Sequence, residues 1–282
     1  PTVLETLRQS DFEKQLEPQE SDITVLFCDV RGFSKKSEQA QQGLRELLDR
    51  VSDALGVMTC GIIKYDGVIA DFQGDAALGF WGWPAPREDD RLSACRAALH
   101  IQQEFQHALH DSRHTLAGFQ VGIGVAHGRA IAGKIGTKEQ IKVGAFGPTV
   151  NLGARLEGLT KTLGASILLD ETTTDFVRGA LPPSEGRLRR IGRFRPAGMN
   201  TELMLSQLLP SAAMEPSITD EAIKIYETAW DLFAAGIWRD ALDQLNLLPE
   251  QDKVKDYLVL YITQHNGKPP ANWNGVIVMQ SK

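Results

Sequence analysis

The sequence has few cysteines, no long apolar run and no surplus of basic side chains. Its three cysteines, Cys28, Cys60 and Cys95, are an odd number without metal-like spacing, which favours reduced thiols over a disulfide framework. The longest apolar stretches, such as 23–28 and 257–262, fall far below the ~18 residues that a membrane-crossing helix needs. We therefore predict a cytoplasmic segment without membrane contact.

Charge is balanced where nucleic-acid binding would need a basic surplus. The 282 residues carry 30 basic and 36 acidic side chains, a formal net charge of −6. Residues 1–20 carry two basic and five acidic groups and residues 216–282 carry six and nine, so residues 21–215 carry 22 of each. A protein that follows a phosphate backbone normally shows a basic excess. We predict no nucleic-acid partner.

The length and the first residues bear on the domain organisation. With 42% apolar residues, the chain can bury the core of one large domain or of two ordinary ones. It opens with Pro1 rather than Met and lacks a secretory signal pattern. We therefore expect part of a longer protein, in which a sensor domain can lie upstream.

Hydrophobic periodicity predicts alternating strands and helices. Strands are predicted at 23–28, 67–72, 76–81, 120–126, 129–134, 166–169, 187–195 and 202–206, and helices at 34–58, 89–109 and 147–164. A tight turn at His127-Gly128 is predicted to separate two of the strands. The order β-α-β-β-α-β predicts an α+β fold class, a ferredoxin-like antiparallel sheet with helices on one face.

The two ends of the chain differ from this pattern. Residues 1–20 predict a lead-in helix, and residues 208–282 predict a linker followed by a small all-α appendage. Within the appendage, apolar residues from Tyr226 to Leu245 have the spacing of one tetratricopeptide-like helix pair. One such unit is too small to be stable alone, so we expect it to pack against the main domain or a dimer partner.

Two carboxylates stand out by their placement. Asp29 follows the first predicted strand and Asp75 lies at the turn of the predicted hairpin. Neighbouring strands of a ferredoxin-like sheet would bring both to one edge, beside a strand–Gly–helix transition that suits a triphosphate and two Mg²⁺ ions. The alternative is that each Asp only ends a strand or forms a turn.

Three segments carry a resemblance to a known family. Residues 27–34 (FCDVRGFS), 74–82 (GDAALGFWG) and 147–157 (GPTVNLGARLE) closely resemble the signature segments of class III nucleotidyl cyclases, the adenylate and guanylate cyclase catalytic domains. The resemblance covers about residues 21–207, the implied catalytic domain. It implies attack of the ribose 3′-hydroxyl on the α-phosphate, loss of pyrophosphate, and an active site shared between the two chains of a homodimer.

The resemblance also assigns residues to the metal and phosphate sites. Asp29 and Asp75 match the ligands of two Mg²⁺ or Mn²⁺ ions, with the Val30 carbonyl as a further ligand. Backbone amides at Gly32 and Phe33 match the phosphate-binding segment.

A second pair matches the groups that orient the ribose and stabilise charge on the α-phosphate, namely Asn151 and Arg155. They lie four residues apart on a predicted helix and so share one face. Taken alone, they are an ordinary surface amide and a solvated charge.

Two positions bear on the nucleobase. Adenylate cyclases of the family place a Lys four residues before the second metal Asp and an Asp or Thr three residues before the Gly of the third segment; here these are Asp71 and Gly144. Guanylate cyclases use an acidic and a small residue there, and a carboxylate can accept from guanine N1–H and the 2-amino group. We rank GTP first and ATP or a pyrimidine triphosphate after it. The alternative is that Asp71 is a solvent-facing strand residue.

The last strand departs from the family pattern. A triphosphate Lys is expected beside its glycine, but Ala197-Gly198-Met199 has none. Arg193 and Arg195 share a face of the predicted strand and could replace it. A run of five arginines is more typical of a solvated face or a dimer contact. A degenerate cyclase domain that binds nucleotide or a partner without turnover therefore stays open.

Overall fold

The computed structural model of the chain describes residues 16–32, 43–109, 111, 113–137 and 139–279. The chain divides into two compact units, Pro1–Glu157 and Gly158–Lys282. Over the described residues it contains nine strands and seven helices, which confirms the predicted α+β class. No helix in this part of the chain is long and apolar enough to cross a membrane.

The first unit contains a five-stranded antiparallel sheet and its connecting helices. Its elements are β1 (Gln19–Arg31), α1 (Leu44–Lys64), β2 (Val68–Gln73), β3 (Ala76–Trp81), α2 (Asp90–Leu109), β4 (Gln120–Gly136), β5 (Ile141–Phe146) and α3 (Pro148–Thr162), the last of which continues into the second unit. The strand order is β2-β3-β1-β4-β5, and every neighbouring pair is antiparallel. This is the predicted ferredoxin-like sheet.

β1 lies in the middle of this sheet and pairs with β3 on one side and β4 on the other. Leu26 is opposite Gly79 of β3 on one side and Val125 of β4 on the other. Ile23 and Cys28, at the two ends of the run, are fully buried. A continuous apolar strand is stable only when covered on both faces, and such a strand occupies the centre of a sheet.

β4 continues through the residues where the sequence predicts a tight turn, so that prediction is wrong. His127 is opposite Thr24 and Gly128 is opposite Ile23 in the ladder with β1. Thr24 Oγ1 lies 3.0 Å from His127 Nδ1. The 13-residue β1 offers a continuous ladder of partners, and this tertiary pairing outweighs the local turn signal.

One further strand was not predicted, and two predictions fall on residues that the structure does not describe. β5, which follows β4 in a hairpin, is not predicted from the sequence. The predicted lead-in helix lies outside the described residues up to residue 15, and Gln19 already belongs to β1. The predicted N-cap of the next helix, Ser34, also lies outside them, and the described helix α1 begins at Leu44.

The second unit contains a smaller sheet and the C-terminal helices. Its elements are β6 (Ile167–Leu169), α4 (Glu171–Ala180), β7 (Gly186–Arg195), β8 (Leu203–Pro210), α5 (Asp220–Ala234), α6 (Trp238–Asn246), α7 (Lys253–Gln264) and β9 (Ile277–Val278). The strand order is β6-β8-β7-β9, with β9 parallel to β7. β8 extends to Pro210, past residue 207; the domain boundary there stays a prediction.

The arginine run on β7 anchors the C-terminal helices. The Arg189 side chain is 1% exposed and is bonded to Asp252, the N-cap of α7. Arg187 donates to Asp220 of α5 at 3.0 Å, and Arg190 pairs with Asp231 of the same helix. The general interpretation of this run as a solvated face or dimer contact is therefore wrong for these three arginines, because the acidic residues of the appendage neutralise them.

Candidate active site

The structure brings Asp29 and Asp75 together. Asp29 lies near the end of β1, opposite Ala76 of β3, and Asp75 precedes Ala76 in the two-residue turn between β2 and β3. Gly74 adopts φ +66°, a conformation that a tight turn needs and glycine adopts without strain. The two carboxyl groups are hydrogen-bonded to each other.

Burial and mutual repulsion disfavour the charged forms of these two carboxyl groups. Burial, and then the charge of Asp75, raise the pKa of Asp29 to about 6, although the backbone N–H of Val30 donates to its carboxylate. Burial also raises the pKa of Asp75. Asp29 Oδ1 is buried and has no hydrogen-bond partner among the described residues. Such an oxygen fits a hard cation that prefers oxygen ligands.

The donor set for a cation consists of few side chains. Among the described residues, no group of three or more His, Cys, Asp or Glu side chains has a metal-binding arrangement. Two carboxylates with one main-chain carbonyl, that of Val30, would leave further positions for substrate oxygens. Mg²⁺ is usually bound in this way, through one or two carboxylates and phosphate oxygens.

Two further charged residues belong to this site and escaped the sequence analysis, Glu157 of α3 and Arg31 of β1. Burial and the charge of Asp29 raise the pKa of Glu157 to about 7, and Arg31 opposes that rise. Burial lowers the pKa of Arg31, and Glu157 partly offsets this effect. A usable signal existed, because Arg31 lies two residues after Asp29 on a strand and therefore on the same face.

α3 lies directly on the sheet beside this site. A Cβ on Gly124 of β4 would lie 2.4 Å from the carbonyl oxygen of Gly153 and 2.3 Å from the backbone nitrogen of Glu157. A Cβ on Gly153 would lie 2.7 Å from Val25 of β1. The helix backbone therefore contacts the strands without intervening side chains, and this contact holds Glu157 beside the two aspartates.

The predicted pair Asn151 and Arg155 lies on the other side of α3. At 3.6 residues per turn, their mean direction is about 160° around the helix from that of Gly153 and Glu157. The Asn151 side chain is exposed, and its backbone N–H donates to Gly147 at 3.2 Å. Asn151 and Arg155 therefore face away from the strands on which α3 packs.

The structure describes one of the two predicted phosphate-binding residues. Gly32 follows β1 with φ +79°, is exposed, and has open space where a side chain would lie. Phe33 lies outside the described residues. The Val30 side chain is buried in the core, so only its backbone is available to a ligand.

The two predicted base-reading positions lie on neighbouring segments. Asp71 of β2 forms an ion pair with Lys142 of β5. Gly144 lies two residues after Lys142, and no heavy atom lies within 4 Å of the place that its Cβ would occupy. The Asp71 side chain thus has an ion-pair partner and is 36% exposed, and its role in reading the base stays a prediction.

The predicted triphosphate arginines belong to the second unit. Arg193 is exposed, with its guanidinium 4.0 Å from the Glu202 carboxylate. Arg195 lies on β7 opposite Val278 of β9. Their role at a triphosphate stays a prediction.

Comparison with known proteins identifies related sequences and a related fold. The sequence model of the adenylate and guanylate cyclase catalytic domain matches residues 16–188. The chain is 30% identical over 214 residues to an adenylate cyclase of Anabaena cylindrica, covering 73% of this chain and 36% of that protein. It is 26% identical over 190 residues to adenylate cyclase 1 of Rhizobium meliloti, covering 67% of this chain and 27% of that protein.

A solved structure is similar over the same region. The crystal structure of the guanylyl cyclase Cya2 superimposes with a TM-score of 0.58 at 26% identity, covering 68% of this chain and 93% of that one. The chain thus spans nearly all of a solved cyclase domain but only 27% and 36% of the two curated relatives.

Proposed function

Because the chain belongs to the adenylate and guanylate cyclase catalytic domain family, we propose that it is a nucleotidyl cyclase. It converts a nucleoside triphosphate into a 3′,5′-cyclic nucleotide: the ribose 3′-oxygen bonds to the α-phosphorus, and the bond from that phosphorus to the pyrophosphate oxygen breaks. The observation that carries the proposal is the hydrogen-bonded pair of Asp29 and Asp75, in which one buried carboxylate oxygen has no hydrogen-bond partner among the described residues.

The residues of this pair would hold the metal ions. Asp29, Asp75 and the Val30 carbonyl are the proposed ligands of two Mg²⁺ or Mn²⁺ ions, and backbone amides at Gly32 and Phe33 are the proposed phosphate contacts. When bound, such ions activate the 3′-hydroxyl group and offset charge on the leaving pyrophosphate. Arg193 and Arg195 remain proposed contacts for the triphosphate.

The active site is proposed to be shared between two copies of the chain. Asn151 and Arg155 face away from the side of α3 that carries Glu157, which supports their acting on the aspartates of a partner. Exposed apolar side chains also support a homodimer. Ile131 and Phe146 are opposite each other on β4 and β5 and are 40% and 67% exposed. An Arg fork from the partner would suit the charge developing on the α-phosphate.

GTP is the proposed first substrate. The Asp71 carboxylate can accept from guanine N1–H and the 2-amino group, and Gly144 leaves room beside it. The two curated relatives are adenylate cyclases and the solved relative is a guanylyl cyclase, so ATP ranks second and a pyrimidine triphosphate after it. We infer a cytoplasmic location, which suits three cysteines without metal-like spacing, and an upstream sensor domain.

One assay tests the activity. The purified protein is incubated with Mn²⁺ and each of the four ribonucleoside triphosphates, and cyclic product and pyrophosphate are measured. We expect cyclic product that depends on Asp29, so that Asp29→Ala abolishes it. If no triphosphate yields a product, the chain is a degenerate domain and the proposal fails.

Mixing two inactive variants tests the shared site. Asp29→Asn and Arg155→Ala chains are each expected to be inactive alone. An equal mixture with free exchange forms heterodimers in half of its dimers, each with one intact site, so roughly one quarter of the parent activity should return. A mixture that stays inactive after exchange would mean that each site is built from one chain.

A further inference from the structure

Helix α3 carries candidate functional groups on two opposite faces. Its inner face lies on the sheet, where a Cβ on Gly153 would lie 2.7 Å from Val25 and 3.2 Å from Phe27 of β1. Asn151 and Arg155 lie on the opposite face, about 160° around the helix. In a dimer in which this pair acts on the aspartates of a partner, α3 would contact the cation site of its own chain and serve the site of the other chain.

The inner face of α3 also carries a half-buried acidic residue, Glu157. The β1 side chains that alternate from Val25 to Arg31 include Asp29, and they share the sheet face on which α3 lies, because Gly153 lies against the first of them. Glu157 follows Gly153 by four residues, about one turn, and therefore shares its helix face. The charge of Glu157 interacts with those of both aspartates and of Arg31. α3 thus brings a carboxylate beside the two proposed metal ligands.

The electrostatic balance at Glu157 depends on whether cations occupy the site. In the metal-free protein the charges of Asp29 and Asp75 repel a carboxylate there, and that of Arg31 attracts it. Two like charges against one opposite charge disfavour this placement, so folding stability does not explain it. Divalent cations on the two aspartates would reverse the balance. A group transmits ligand binding when it interacts differently with the free and the bound state, and Glu157 meets this condition.

A direct backbone contact allows α3 to pass such a change from one face to the other. A Cβ on Gly124 of β4 would lie 2.3 Å from the backbone nitrogen of Glu157, so no side chain separates the helix from the sheet at this point. Hydrogen bonds join each turn of a helix to the next, so a short helix segment moves as one body. A shift of Glu157 toward β1 therefore moves Asn151 and Arg155 with it.

We propose that Glu157 is a positioning residue that couples the cation site of its own chain to Asn151 and Arg155 on the opposite face of α3. When cations bind Asp29 and Asp75, Glu157 is drawn toward them and holds α3 against β1. This movement orients Asn151 and Arg155 for the site of the partner. The inference rests on the proposed cyclase function, from which it takes the roles of these four residues. Its new content is the role of Glu157 and a route by which cation binding in one site affects the other.

Hydrogen exchange with and without Mn²⁺ tests the coupling independently of activity. In the parent, saturating Mn²⁺ should slow amide exchange in residues 151–157 about tenfold. Glu157→Gln keeps the shape of the side chain and removes its charge, so it should lose most of this slowing while calorimetry still detects Mn²⁺ binding. Glu46→Gln, which changes an exposed residue of α1, is the matched control and should respond as the parent does.

Three results of this experiment would overturn the inference. The first is a parent in which Mn²⁺ does not slow exchange in α3. The second is a Glu157→Gln variant that keeps the full slowing. The third is a Glu157→Gln variant that no longer binds Mn²⁺, because Glu157 would then act on the cations themselves.

Steady-state kinetics test whether Asn151 and Arg155 depend on Glu157. These two groups are proposed to act on charge that develops at the α-phosphate, so misplacing them should lower kcat more than it changes KM. With saturating Mn²⁺, Glu157→Gln should lower kcat about tenfold and change KM for the triphosphate by less than about twofold, and Glu46→Gln should change neither. An unchanged kcat, or a lower kcat in a variant that keeps the slowing of exchange, would show that Glu157 does not act through α3.

The failure of this inference is distinguishable from the failure of the proposed function. If the parent makes cyclic product and Glu157→Gln matches it in exchange and in kcat, only the role of Glu157 is overturned. If the parent makes no product, the cyclase proposal fails. Hydrogen exchange with Mn²⁺ then decides whether Glu157 couples the cation site to α3, because that measurement needs no turnover.

Discussion

The carboxyl group of Asp29 is hydrogen-bonded to that of Asp75 between the end of β1 and the β2–β3 turn. Two carboxylates this close cannot both ionise without strong repulsion, so the metal-free pair holds a proton below about pH 6. A divalent cation would replace this proton. Metal binding, protonation and folding stability are therefore coupled at the Asp29–Asp75 pair.

The first prediction concerns metal binding. Calorimetric titration with Mn²⁺ at pH 6, in buffers of different ionisation enthalpy, should show proton release, because the pKa of Asp29 is raised to about 6. Asp29→Asn and Asp75→Asn should each weaken binding about tenfold or more. Asp53→Asn, an exposed Asp on α1, is the matched control and should bind as the parent does. Unaltered Mn²⁺ affinity in Asp29→Asn would contradict the assignment.

The second prediction concerns stability and pH. The pKa of Asp29 is raised from 3.8 to about 6 and that of Glu157 from 4.5 to about 7. At a pH between the ordinary and the raised pKa of each group, the folded state binds more protons than the unfolded state. The free energy of unfolding therefore falls as the pH rises through this range. Metal-free Asp29→Asn and Glu157→Gln should therefore gain melting temperature relative to the parent at pH 8 and not at pH 4. A parent-to-variant difference that is constant across pH would contradict the raised pKa values.

The third prediction concerns the contact between β4 and α3. A Cβ on Gly124 would meet backbone atoms of Gly153 and Glu157 at 2.4 and 2.3 Å, and backbone cannot rotate away. Gly124→Ala should lower the free energy of unfolding by about 1–3 kcal/mol and reduce activity, because Glu157 would shift.

The matched control for that change lies on the same helix. Gly158 has no heavy atom within 4 Å of its Cβ position. Gly158→Ala should therefore stabilise the helix by about 0.5–1 kcal/mol. Urea unfolding of both variants measures the contrast, and equal shifts would show that α3 does not lie against Gly124.

The fourth prediction concerns the buried ion pair of the second unit. Arg189 and Asp252 are each 1% exposed, and Asp252 also accepts from Val254 at the start of α7. Arg189→Met leaves a buried carboxylate without its partner and should destabilise by about 3–5 kcal/mol. Adding Asp252→Ser keeps a cap and removes the charge, so the double variant should regain part of the loss.

An exposed arginine of the same strand serves as the comparison. Arg193→Met should change the free energy of unfolding by less than about 0.5 kcal/mol. Chemical denaturation of the three variants tests the series. A loss in Arg189→Met no larger than that in Arg193→Met would mean that the pair is not buried in solution.

Sequence patterns predicted the structure correctly where it depends on interactions between residues close together in the chain. The apolar run after Asp22 predicts a buried strand, and the structure has it as the central β1. The positions of Asp29 and Asp75 at a strand end and a turn predict their proximity, because an antiparallel hairpin beside β1 leaves few registers. The turn predicted at His127-Gly128 failed because a turn signal of two residues competes with a long ladder to β1.

Local sequence patterns were enough to predict most of the strands and helices, although not β5 or the unbroken β4, and to place the two carboxylates at one end of neighbouring strands and Asn151 and Arg155 on one helix face. The pairing of Lys142 with Asp71, the place of Glu157 beside Asp29 and the bonds of three β7 arginines to the C-terminal helices are seen only in the folded chain. The physical reason is distance along the chain. Lys142 and Asp71 are 71 residues apart, and their contact depends on which strands lie side by side, which no local pattern encodes.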